Sequence, residues 1–186
     1  MIRTAIVLGL SLVAAPAFAG TVVAVPQFDG VGLEGGGHVV LKYGAQQRVT
    51  LVKGSTQFTD IRVEHGSLKI DACNEHCPNH YDLEIEVITP SLKALAVRGG
   101  GEIESAAGFP AQNVISVAVS GGGDIKVKNV KADTINAAVH GGGSIDVYAQ
   151  RTLNAAVAGG GEITYFGNPA KVSQAAVGGG EITRGS

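Results

Sequence analysis

The sequence predicts an all-β protein of the parallel β-solenoid class with an irregular β-strand cap at its N-terminal side. Three observations predict it. A glycine triplet recurs at near-regular intervals, apolar residues alternate with polar ones between the triplets, and no stretch keeps a helical period.

The triplets carry the argument. Five segments share an apolar pair, three glycines, one polar residue and an isoleucine. Ala96-Val97-Arg98-Gly99-Gly100-Gly101-Glu102-Ile103 is the first, and Ala176-Val177-Gly178-Gly179-Gly180-Glu181-Ile182 is the last and one residue shorter. The triplets begin at residues 99, 121, 141, 159 and 178, intervals of 22, 20, 18 and 19. A sixth, Gly35 to Gly37, lies far upstream and reads as out of register with the others. A period near 20 suits one coil of a solenoid, in which each coil covers the apolar face of its neighbour. Coils stack about 4.8 Å apart. A corner repeated at that spacing favours glycine, both for its backbone freedom and for its missing Cβ.

Two core files are expected. Val97, Val119, Val139, Val157 and Val177 should form one, and Ile103, Ile125, Ile145, Ile163 and Ile182 the other, with the alanines beside the valines thinning the interior. There is no G-K-[ST] ending and no helix pattern after any triplet, so a phosphate-cradling loop is not expected.

The chain opens with the marks of a signal peptide: Arg3, an apolar run from Ala5 to Ala15, and the A-x-A site Ala17-Phe18-Ala19. Residues 1–19 are read as that leader. Residues 20–186 are read as a single domain, with 20–95 as cap or irregular first coils and 96–186 as the repeat array. The apolar run is too short for a bilayer span, and no later segment is long and apolar enough to be one. Strands are expected over 28–34, 38–43, 47–53, 58–64, 67–72, 81–89 and 92–97, with Thr89-Pro90-Ser91 as the corner that leads into the array. A net charge of −2 argues against a nucleic-acid partner.

Several segments resemble one known family. Phe28-Asp29-Gly30-Val31-Gly32-Leu33 is similar to its opening and Leu68-Lys69-Ile70 to its first β-hairpin. The run Glu84 to Leu92 resembles its strand-Pro-Leu junction, and Val97 to Ile103 resembles its Gly-rich repeat. The family is the head GIN domain group of autotransporter adhesins. The resemblance implies a right-handed parallel β-helix and an envelope or surface location, in the periplasm or outside the cell. It implies no established activity and no catalytic residues. No membrane barrel follows the array, so the chain is not expected to translocate itself.

The densest polar cluster is Cys73 to His80. In an exported protein, Cys73 and Cys77 are expected to form a disulfide across the end of a hairpin. Cys73, His76, Cys77 and His80 are also the right four donors for zinc, but their spacing is cramped and no distant second half supplies ligands. Free thiols are the third reading.

The residues after the triplets, Glu102, Asp124, Ser144, Glu162 and Glu181, should align into a polar ladder. With Arg98 they form a candidate binding face. A ladder of like charge is a solvated surface or a stripe for a divalent cation, and no other cofactor is expected. His140 should stand one column earlier, in line with Arg98 and Ser120.

The functional reading is an exported, non-catalytic envelope or surface protein that meets a protein or glycan partner through a solenoid face. A self-assembling module joined through the C-terminal edge is the alternative. A polysaccharide-acting enzyme using Arg98, Glu102, Asp124 and Lys126 is the third reading, disfavoured because the array is short and lacks loops to build a cleft.

Overall fold

The computed structural model describes residues 20–74 and 76–186; the expected leader, residues 1–19, lies outside them. All regular structure among the described residues is β. The N-terminal strands are β1 (Thr21–Val23), β2 (Gly30–Gly35), β3 (His38–Tyr43), β4 (Arg48–Lys53), β5 (Asp60–Glu64), β6 (Ser67–Asp71) and β7 (Glu84–Thr89). The repeat region continues with β8 (Ala94–Gly99), β9 (Glu102–Ser105), β10 (Gln112–Gly121), β11 (Asp124–Gly141), β12 (Ser144–Gly159), β13 (Glu162–Phe166), β14 (Lys171–Val177) and β15 (Glu181–Arg184). Each expected N-terminal strand has a counterpart within a few residues, because alternation such as Leu68/Ile70 and Ile85/Val87 places every second side chain in the core.

The strands form two ladders. The first runs β5, β6, β2, β8, β10, the second half of β11, the second half of β12, then β14. The second runs β1, β4, β7, β3, β9, the first half of β11, the first half of β12, then β13 and β15. From β2 and β3 onward every pairing is parallel. Three pairings near the other end, β5 with β6, β1 with β4 and β4 with β7, are antiparallel. The sheet is therefore mixed, where a parallel solenoid with an irregular N-terminal cap was expected: the antiparallel pairings all lie among the N-terminal strands.

Glycine corners join the ladders. Gly121 has φ +119°, and a Cβ there would stand 2.6 Å from the Gly99 carbonyl oxygen. A Cβ on Gly123 would meet both the Gly101 carbonyl oxygen and Val97 Cγ1 at 2.5 Å. The middle residue of the triplet, Gly122, would meet nothing within 4 Å. The steric demand thus falls on the first and third glycines alone.

The sixth triplet is in register after all. Gly35 pairs with Gly99, Leu33 with Val97 and His38 with Glu102. After β1 the chain lays down β2 and β3, passes through β4 to β7 on one side of them, and returns with β8 and β9 on the other. The first coil in sequence is consequently an interior coil in space. Sequence distance concealed the match, because the 35–99 interval contains that excursion.

A second correction concerns the valine file. Leu33, Val97, Val119, Val139 and Val157 are in line and buried, but Val157 pairs with Ala176 and Ala158 with Val177. Val177 is 72% exposed. The last repeat lacks one residue before its glycines, and a one-residue slip turns a side chain to the opposite face. The isoleucine file holds from Ile103 to Ile182 and extends through Val39 to Ile85. The alanines that precede the valines point outward: Ala118 and Ala156 are exposed, and Ala96 and Ala138 partly so. Ala137 and Ala155, together with Ala132 and Ala149, are buried and thin the interior instead.

Candidate functional site

Two outer faces compete for a functional role. Strand alternation buries Ile103, Ile125, Ile145 and Ile163 on the second ladder and pushes their neighbours out. The expected polar ladder forms there: Glu102, Asp124, Ser144, Glu162 and Glu181 are successive register partners. It continues through His38 to Glu84, two members the sequence reading missed. The signal was present in Leu33-Glu34-Gly35-Gly36-Gly37-His38-Val39, which matches the repeat pattern once the upstream triplet is aligned.

This face is largely paired within itself. Lys126 Nζ lies 2.7 Å from Glu102 Oε1, Lys53 Nζ 2.9 Å from Glu84 Oε2, and Lys42 Nζ 2.5 Å from Glu86 Oε2. Ser144 Oγ donates to Asp124 Oδ1 at 2.6 Å, and His38 Nε2 stands 3.3 Å from Glu104 Oε1. The hydrogen bond from Lys53 holds Glu84 below the usual carboxylate range, and the one to Glu102 raises Lys126. Asp146 is pushed up, first by burial and also by Glu162 and Asp124.

Arg98 stands on the other ladder, across the glycine corner from Glu102, where it faces Glu34 at 3.4 Å. His140 is aligned with Ser120, and Ser120 with Arg98, as expected.

The outer side of the first ladder is of another kind. One file reads Gly32, Ala96, Ala118, Ala138, Ala156, Ala175; the next reads Gly30, Ala94, Ser116, Asn136, Asn154, Ser173. Beyond Gly32 the first file continues to Lys69, but from β8 to β14 no side chain in either file is charged or large. Together they floor a shallow groove of about 620 Å³. Asn154 Nδ2 donates to Asn136 Oδ1 at 2.8 Å along the groove.

Cys73 and Cys77 are joined by a disulfide, with Cα atoms 5.9 Å apart. Bridged, they offer no thiolate to the cramped set with His76 and His80. The expected hairpin around them is absent: β6 pairs with β2 and β5, β7 with β3 and β4. Residues 72–74 and 76–83 instead lie at the corner of the coil beyond the Gly35 triplet. Ala72 N–H donates to the Glu34 carbonyl at 2.9 Å and His38 N–H to the Leu83 carbonyl at 2.8 Å. No further triplet stacks on that side, so the corner has room for a loop.

The profile of the family described as "Putative auto-transporter adhesin, head GIN domain" matches residues 27–114 and again 111–169, most of the chain. The chain belongs to the head GIN domain family. Solved structures similar to this head GIN domain chain include a "putative adhesin" from Bacteroides fragilis NCTC 9343, at 18% identity and TM-score 0.54, covering 88% of this chain and 95% of that one. Another from Parabacteroides distasonis ATCC 8503 has 18% identity and TM-score 0.44, with 89% and 96% covered. One from Parabacteroides merdae ATCC 43184 has 13% identity and TM-score 0.40, with 89% and 95% covered. The Bacteroides fragilis likeness supports a common fold; the other two add no argument. No curated protein matches the chain. Among the described residues, no helix is long and apolar enough to cross a membrane.

Proposed function

We propose that this head GIN domain is an exported, non-catalytic binding module of the bacterial envelope or surface, which meets its partner through the outer face of the first ladder. The observation that carries the reading is the contrast between the two faces. The charges of the second ladder are largely satisfied by one another, while the small, uncharged files from Ala94 to Ala175 leave an open groove. A surface without long side chains loses little conformational entropy when a partner closes on it, and it lets the partner's backbone or sugar rings approach closely. The rows of Ser116, Asn136, Asn154 and Ser173 supply hydrogen-bonding groups at the inter-strand spacing.

The architecture beneath this reading is a right-handed parallel β-helix capped by the antiparallel strands. Two parallel ladders joined by stacked corners support it, as does family membership. The leader-like sequence of residues 1–19 supports export and a mature chain that begins near Gly20.

The test is substitution in the groove floor. Ala138→Arg should leave the melting temperature within a few degrees of wild type and remove binding of the labelled protein to whole cells or isolated envelope. Retained binding by a folded Ala138→Arg protein would sink the proposal. Self-assembly is the second reading, favoured by β14, every residue of which is exposed, and by Val172 and Val177 at 44% and 72% exposure. Sedimentation that shows a monomer up to millimolar concentration removes it.

A further inference from the structure

We propose that His38, Glu102 and Glu104 form a binding site for a divalent transition-metal ion of the zinc type on the outer face of the second ladder. The proposal stands on this constellation and is independent of the groove on the other face.

The three groups come from strands far apart in sequence that register brings together. His38 on β3 is the partner of Glu102 on β9, and Val40 is the partner of Glu104. Glu104 therefore lies two residues along from Glu102 and on the same outer side. One donor atom from each residue lies within 4.8 Å of the other two. His38 Nε2 and Glu104 Oε1 are 3.3 Å apart. Two ligands about 2.1 Å from a tetrahedral ion stand about 3.4 Å from one another, so this pair already has the spacing of a shared ion.

The backbone holds that geometry. Glu102 N–H donates to the Gly37 carbonyl at 2.9 Å and His38 N–H to the Leu83 carbonyl at 2.8 Å, pinning both strand starts just past their corners. The donor atoms, now within 4.8 Å of one another, would draw in to about 3.4 Å around one tetrahedral ion. Side-chain exposures of 36% for His38 and 43% for Glu104 leave it open to an entering ion and to further ligands from water or a partner.

The donor set selects the metal. A neutral imidazole with two carboxylates carries two negative charges, matching a dication. The nitrogen suits a borderline ion such as Zn²⁺. Ca²⁺ takes six to eight oxygens and gains little from imidazole. The remainder of the polar ladder does not continue the site, since Asp124 is engaged by Ser144. Lys126 is a competitor: its ammonium holds Glu102 at 2.7 Å and places a positive charge beside the ion.

Titration of the untagged chain with Zn²⁺ by calorimetry, alongside thermal melts, tests the proposal. One equivalent should bind and raise the melting temperature, as any ligand selective for the folded state does. His38→Gln and Glu104→Gln should each weaken binding by at least about tenfold, the scale on which zinc sites respond to damage. Lys126→Met should tighten it, which a loss of fold cannot imitate. An excess of Ca²⁺ should leave Zn²⁺ bound. The proposal is overturned if the chain binds no Zn²⁺, if His38→Gln binds it as wild type does, or if Ca²⁺ displaces it at equal concentration.

Discussion

Gly35 and Gly99 are register partners on adjacent strands, and a Cβ on Gly99 would stand 2.8 Å from the Gly35 carbonyl oxygen. Gly99 also has φ +105°, while a Cβ on Gly100, the next residue, would meet nothing within 4 Å. Gly99→Ala should therefore destabilise by about 2–4 kcal/mol, combining backbone strain with a clash against main chain. Gly100→Ala should fall within about 0.5 kcal/mol of wild type. Urea unfolding of the two variants checks the pair. Equal effects would show that the triplet acts as a unit and that its members share one steric role.

The offset of the last repeat gives a second contrast. Ile145 is fully buried in the isoleucine file, so Ile145→Ala should cost about 2–5 kcal/mol. Val177 fills a superficially equivalent repeat position but faces solvent, so Val177→Ser should change stability by no more than about 0.5 kcal/mol. A large loss at Val177 would mean that the terminal coil takes the register read from the repeat pattern.

Ser105 breaks an otherwise apolar pattern. It is the register partner of Leu41, it is buried, and among the described residues its Oγ has no hydrogen-bond partner. A buried hydroxyl left unpaired costs about 1–3 kcal/mol. Ser105→Ala should therefore raise the unfolding midpoint, and a lower midpoint would point to an unseen partner for the hydroxyl.

Asp146 should make stability depend on pH in a direction opposite to a paired carboxylate. Burial raises its folded-state pKa above the ordinary 3.8; Lys128 and Lys126 oppose the rise and Glu162 and Asp124 add to it. The folded state then binds the proton more tightly than the unfolded state. That contribution is complete below the ordinary carboxylate value and is lost as pH rises through the raised one. Asp146→Asn should accordingly melt at a higher temperature than wild type at neutral pH, and the difference should shrink as the pH is lowered to 3.

The Cys73–Cys77 bridge closes a short ring in a surface corner, so its reduction should cost only about 2 kcal/mol on the chain-entropy account. Melts with and without a reductant, compared with the Cys73→Ser/Cys77→Ser protein, measure it. Complete unfolding on reduction would show that the corner anchors β6 and β7 rather than merely joining them.

Much of this could be read from residues alone. Period-two alternation marked the strands, and the five clustered triplets placed Ile103 to Ile182 in one file, because both signals come from local geometry repeated at a fixed interval. The upstream triplet shows where such reading stops. Its glycines, its inward Leu33 and its outward His38 obey the same pattern, but an excursion through four further strands hides the register. Val177 shows the complementary failure: a deletion of one residue leaves the motif recognisable and reverses the side chain's direction.

Local composition and spacing by themselves determined that the regular structure of the described residues is β and that the coils turn on glycine. Tertiary structure decided the order of those coils, the mixed character of the sheet, and the meeting of His38 with Glu102 and Glu104. The physical reason is that alternation specifies which way a side chain points within its own strand. Which strand lies beside it depends on non-local hydrogen bonding, and that choice is made only when the whole stack closes.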